Sequence, residues 1–228
     1  LSDDTKTGDS KLSYKYNYEA DIDKSDWSAV NLDYLNKIFL GTPKCVLVER
    51  IAASDDYEAA LARLKYKHWN WLTVPGIEKR IGDAATIQQW IIAQRAAKKT
   101  FKAVLPATEN TGNFNDEGIV EFATDNIKVG AKTYSVCEYC ARIAGLLAGL
   151  SMTESATYQV LPEVDGIAES ETPDDDIDSG KLILINDGEK VKIARGVNSL
   201  HILSGDKTAD MKKIKIIEGM DLMRDDIR

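Results

Sequence analysis

Residues 134–164 constrain the fold more than any other stretch of this chain. Ser135 is followed three positions later by Glu138, a spacing at which each side chain satisfies a backbone N–H left free at a helix start. Behind that cap come Ala141, Gly145 and Gly149 at four-residue spacing, which places three small residues on one helical face. Such a face lets a second backbone approach closely, and Ile143, Leu146, Leu147 and Leu150 flank it with apolar bulk. Nothing on it carries chemistry. The helix is a packing device.

Upstream, the pattern alternates. Residues 1–30 form a polar N-terminal segment in which Leu12, Tyr14, Tyr16 and Tyr18 alternate, as in a half-buried edge strand or a partly ordered tail. Residues 31–108 read as an outer α/β section. Residues 33–40 predict a short helix stopped by Gly41 and Pro43. The apolar run Cys45-Val46-Leu47-Val48 suits a strand covered on both faces. Ser54 then caps a helix with Tyr57, Ala60, Leu61 and Leu64 at helical spacing. Residues 69–74 predict a second strand cut by Pro75-Gly76, and Asp83 opens a helix carrying Ile87, Trp90, Ile91 and Gln94. Residues 101–105 predict a third strand, ended by Pro106. This alternation implies a mainly parallel sheet with helices on its faces.

Residues 109–228 read as an α+β section. Residues 109–118 predict a loop, 119–122 and 127–129 short strands, and 156–161 a further strand. Between 162 and 180 stand Glu163, Asp165, Glu169, Glu171, Asp174, Asp175, Asp176 and Asp178 with no Lys or Arg, a run expected to face water. Thr172-Pro173 starts one helical turn there. Residues 181–186 and 189–194 flank Asp187-Gly188, a strong hairpin signal. From Asp210 onward, Ile216, Met220, Met223 and Ile227 share one helical face.

The catalytic inventory is poor. The net charge of −8 opposes a nucleic-acid partner, which needs a clustered basic surface. No apolar run approaches the ~20 residues of a membrane span, and the start of the chain lacks a signal-peptide pattern. Three cysteines make no disulfide framework, which fits a reduced cytosolic protein. Cys137 and Cys140 have the spacing of a redox or zinc pair, but only Cys45, His68 and His201 could complete a zinc site, at unhelpful spacings. Packing is the expected role. Asp174, Asp176 and Asp178 echo a calcium loop, yet Ser179 and Ile185 stand where Gly and Glu are required. The turn after Val48 has no glycine and carries Asp55 and Asp56, which would repel a phosphate. Trp69, Trp71 and Trp90 are expected to face one another in the core, with His68 packed at its boundary.

Three blocks carry a resemblance. They are Ala141-Arg142-Ile143-Ala144-Gly145-Leu146-Leu147-Ala148-Gly149-Leu150 with Ser155-Ala156-Thr157-Tyr158; Asp178-Ser179-Gly180-Lys181-Leu182 with residues 191–200; and residues 213–223 with Asp225-Asp226-Ile227-Arg228. In this order the chain resembles the tail sheath proteins of contractile phages, especially those of defective prophages and R-type bacteriocins of Gram-positive bacteria. The resemblance implies a structural subunit without cofactor or metal, made in the bacterial cytoplasm and built into a phage tail or bacteriocin particle. It implies six-membered rings stacked around an inner tube, terminal arms that add strands to neighbouring subunits, and contraction that needs no nucleotide. Other sheath subunits, the tube protein, the baseplate and a tail terminator are the implied partners. Nucleic acid and membrane are not among them. The helices towards the C-terminal part would face the tube and the α/β section would face outward.

On that reading the hairpin, with Lys181, Ile183, Ile185, Val191 and Ile193, is the candidate receiving sheet; an ordinary internal hairpin explains it equally. Lys212, Lys213 and Lys215 would meet an acidic tube surface, or simply form a solvated helix face. The chain stops where family members continue, so it is expected to be a fragment lacking the terminal arms and to stay monomeric alone. The alternative is a small cytosolic α/β enzyme or ligand-binding domain. Its mark would be a pocket near Pro75-Gly76 and Pro106 that gathers ionisable side chains.

Overall fold

A computed structural model describes residue 1 and residues 11–51, 57–77, 83–108 and 114–227. Strand β1 (Ser13–Tyr16) turns Tyr14 and Tyr16 inward, where Trp27 Nε1 donates to the Tyr16 hydroxyl at 3.0 Å. Helix α1 (Ala29–Phe39) starts before the predicted residue 33, because the Ser28 side chain accepts from the Asn31 N–H. Strand β2 (Val46–Glu49) pairs antiparallel with β1 in a separate two-stranded sheet. This corrects the expectation that residues 45–48 begin the parallel sheet. An apolar run reports burial and says nothing of the partner, and here the alternating tyrosines supply one.

Helix α2 (Glu58–Leu64) follows, and its predicted cap, Ser54, lies outside the described residues. Next come β3 (Trp71–Thr73), α3 (Asp83–Ala96), β4 (Lys102–Pro106) and β5 (Ile119–Phe122). An antiparallel pair, β6 (Ile127–Val129) and β7 (Lys132–Tyr134), leads into α4 (Val136–Gly149). The last elements are α5 (Pro173–Asp178), β8 (Lys181–Leu182), β9 (Leu184–Asn186), β10 (Val191–Ile193) and α6 (Ile214–Asp226).

The principal sheet is parallel, in the order β3-β4-β5-β8. It crosses residue 108 and draws strands from both sides of it. Alternation along β4 divides its side chains between two cores. Ala103 and Leu105 pack with Ile87 and Ile91 of α3, while Val104 joins Phe122, Tyr139, Ile143 and Leu147 around α4. Trp69, Phe101 and Trp90 stack on the α3 side, with centroids of the first two 3.9 Å apart. Trp69 and Trp90 are half-buried and stack on each other as expected, but Trp71 does not join them. Alternation along β3 sends Leu72 to the α3 side and Trp71 to the α4 core. His68 is exposed and not at a packed boundary.

Helix α4 opens with the Ser135–Glu138 box, Glu138 Oε2 accepting from the Ser135 N–H at 2.9 Å. Its small face meets α1: a Cβ on Gly145 would strike the Ile38 carbonyl, and one on Gly149 the Gly41 carbonyl. Cys137 and Cys140 lie in the first turns of that helix, buried, and the Cys140 thiol donates to the Val136 carbonyl at 3.3 Å.

Two further expectations change. Residues 156–161 form no strand, only a bridge from Val160 to Lys192, since Tyr158 takes a left-handed backbone (φ 63) that breaks extension. The segment 181–186 is not one hairpin arm. Lys181–Leu182 completes the parallel sheet, and the chain then turns at Ile183 to pair β9 with β10. In the acidic run most side chains face water, but Glu163 turns inward to Arg142 Nε at 2.6 Å and the Tyr139 hydroxyl at 2.8 Å.

Candidate assembly surface

In the β9–β10 hairpin, Leu184 stands opposite Ile193 and Asn186 opposite Val191. Asp187 closes the turn: its Oδ2 accepts from Lys192 Nζ at 2.6 Å and its Oδ1 from the N–H groups of Lys190 and Glu189. Lys192 above all, with the two amides, holds that carboxyl well below the usual range. The far edge of β10 is already used. Tyr158 and Leu161 donate to the Ile193 and Val191 carbonyls at 2.8 and 2.9 Å, and Ile193 N–H donates to the Gln159 carbonyl. On the far edge of β9, the Thr124 hydroxyl accepts from Leu184 N–H at 2.7 Å. Beyond Thr124 no strand lies against Asn186 among the described residues.

Ile183, Val191 and Ile193 are buried and anchor the hairpin, while Ile185 is half-buried. Lys181 Nζ is held by Asp176 at 2.9 Å. What this hairpin presents outward is therefore backbone, on the β9 side.

Lys212, Lys213 and Lys215 cluster where the short helix Ala209–Lys212 enters α6. Lys213 pairs with Asp210 at 2.8 Å and Lys215 donates to the Ser151 carbonyl at 3.0 Å. The structure does not bring this group to the hairpin edge by any direct contact. Helix α6 itself is docked by charge. Asp221 accepts from Arg95 at 3.0 Å and from Lys102 at 3.2 Å, and Lys102 is only 2% exposed. Burial drives the Lys102 ammonium below its ordinary value, against the pull of Asp221, and pushes the Glu218 carboxyl up. The docked face of α6 is Ile214, Ile217 and Asp221. The apolar face read from the sequence points outward, with Met223 59% and Ile227 86% exposed. No spacing in the sequence links Arg95, Lys102 and Asp221, and among the other charged residues of α6 nothing local singles out Asp221.

Chemistry is scarce elsewhere. Among the described residues no group of His, Cys, Asp or Glu could hold a metal ion, and no helix is long and apolar enough to cross a membrane. A cavity of about 430 Å³ runs along β2 and β3 and reaches Pro75, but not Pro106. Its walls are mainly apolar, and its carboxylate, Glu49, is bound by Ser13, Arg63 and Lys67. Burial opposes the Glu49 charge, yet those partners prevail and hold its carboxyl low. A carboxylate so engaged is poorly placed to move protons.

Comparison with known proteins decides between the readings. Residues 52–199 match the family model described as the phage tail sheath protein central domain. The chain belongs to the phage tail sheath family. Over 211 residues it is 30% identical to the tail sheath protein of Clostridium phage phiCD119, covering 88% of this chain and 58% of that protein. It thus spans little more than half the length of that curated relative. Its fold is that of sheath proteins of known structure. The sheath tail protein of Listeria innocua superposes with TM-score 0.70 at 17% identity, over 81% of this chain and 43% of that one. The contracted helical sheath of the anti-feeding prophage gives 0.71 at 13% identity, over 94% and 63%. The family is structural, and this sheath chain is not an enzyme.

Proposed function

We propose that the protein polymerises with copies of itself into six-membered rings stacked around an inner tube, and that the sheath contracts to drive that tube through a cell envelope. The family match over residues 52–199 carries this reading. The baseplate and a tail terminator bound the sheath at its two ends. Contraction needs two arrangements of rigid subunits that differ in interface free energy. A core divided between two sheet faces and braced by the α1–α4 contact suits a body that moves as one piece. The free energy is stored between subunits, so no nucleotide is consumed.

Within this assembly, the β9 edge beside Ile185 receives a strand from a neighbouring subunit, since backbone hydrogen bonds supply most of the affinity of strand addition. Lys212, Lys213 and Lys215 face an acidic tube. Electron microscopy of the full-length protein tests the whole reading: helical tubes are expected. A full-length protein that remains dispersed under polymerising conditions overturns it.

A further inference from the structure

Two sheets approach each other along β2 and β3 without joining. Just past the end of β2, the Arg50 N–H donates to the Leu12 carbonyl at 2.7 Å, and within β2 Val48 and Val46 stand opposite Tyr14 and Tyr16. Even-numbered residues therefore turn their backbone groups to β1, and Leu47 and Glu49 turn theirs the other way. Leu1 is already seated on that outer edge. Its amino group donates to the Glu49 carbonyl at 2.8 Å, and its carbonyl accepts from the Ile51 N–H at 3.0 Å. One residue bonded in this way to the positions on either side of Arg50 follows the pattern of a parallel pair. In β3, Lys102 N–H donates to the Asn70 carbonyl at 2.9 Å, so Asn70 and Leu72 serve the ladder to β4. Trp71 and Thr73 point their backbone groups outward. Both outer edges line the same cavity of about 430 Å³, and the Thr73 hydroxyl on its wall is buried without a hydrogen-bond partner.

We propose that the residues directly preceding Leu1 in the longer protein lie in this gap as a strand parallel to β2, joining β1-β2 to β3-β4-β5-β8 in one continuous sheet. Leu1 sets the direction and register: it stands abreast of Arg50, so about five preceding residues lie beside positions 45–49. The tail sheath protein of Clostridium phage phiCD119 is longer than this chain, which covers 58% of it, so that relative carries residues outside the matched span. The apolar lining, including Leu35, Leu61 and Trp69, asks for apolar side chains on the inserted strand.

Residue-resolved hydrogen exchange, comparing the longer protein with one that begins at Leu1, tests the proposal. The Leu47, Glu49, Trp71 and Thr73 amides should exchange at least about tenfold more slowly in the longer protein, while Val46 and Val48, already bonded to β1, stay unchanged. If the short protein does not fold, a proline two positions before Leu1 in the longer one serves instead. It removes the N–H aimed at the Leu47 carbonyl and should cancel the alternate slowing. Equal rates at Leu47 and Glu49 with and without the upstream residues overturn the proposal. So does protection that grows with concentration of the short protein, which would make a second copy the occupant.

Discussion

At the scale of single residues, three glycines in helices behave in opposite ways. Gly145 and Gly149 each lie against a backbone carbonyl of the segment ending α1, whereas a Cβ on Gly219 of α6 meets nothing within 4 Å. Gly145→Ala and Gly149→Ala should each lower stability by about 3 kcal/mol, because a backbone cannot yield as a side chain does. Gly219→Ala should raise it by about 0.5–1 kcal/mol. Urea unfolding of the three variants checks both signs. Glu121 offers a pH signature. It is buried in β5 with the Phe114 N–H as a donor, and burial raises its carboxyl from 4.5 to about 7. A carboxyl whose folded value exceeds its unfolded one binds its proton more tightly in the folded state, so the contribution of Glu121 to stability is greatest below pH 4.5 and is lost as pH rises through about 7. The loss for this group is on the order of 3 kcal/mol. Glu218 and Asp116, also raised by burial, act in the same direction. Glu121→Gln should flatten the slope of stability against pH between 4.5 and 7, read as its difference from the parent protein.

At the scale of elements, α6 stands out as a helix held by charge. Asp221 answers Arg95 from α3 and Lys102 from β4 at once. Asp221→Asn takes the ion-pair partner from the buried Lys102, while Arg95 keeps Glu117 at 3.8 Å, and should cost about 3–5 kcal/mol in denaturant unfolding. Lys102→Met added to it should restore part of that loss, since the remaining uncompensated charge is then smaller. Elements whose signals are local were legible in advance. The Ser135–Glu138 box, the small face of α4, the Ile87–Ile91–Gln94 stripe of α3, Pro173 at the start of α5 and the Asp187-Gly188 turn all appear where the sequence places them. Pairing was not legible. The four apolar residues 45–48 fit a parallel strand as well as the antiparallel one they form, and no residue near Ile183 announces that the chain changes sheets there. The same limit applied to the candidate surface: the hairpin was visible, but not that residues 158–161 already cover one of its edges.

At the scale of the whole molecule, the two faces of one parallel sheet, each with its own helical layer, make a body whose outward features are edges, lysines and the exposed side of α6. On the proposed assembly, Lys213→Glu with Lys212→Glu should leave the urea midpoint of the isolated protein nearly unchanged, because exposed pairs such as Lys213–Asp210 contribute little. The same change should weaken binding to purified tube by about tenfold at low salt, an effect that added salt erodes. Sedimentation with preformed tubes measures it, and undiminished binding would remove these lysines from the tube-facing surface. The sequence by itself determined the local elements, the family and the poverty of catalytic groups, because caps, periodicity and short motifs act between neighbours in the chain. Only the tertiary structure decided which strands share a sheet, which face of α6 is buried and how Arg95, Lys102 and Asp221 meet. Those outcomes depend on contacts between residues up to 147 positions apart, and no local pattern records a partner that distant.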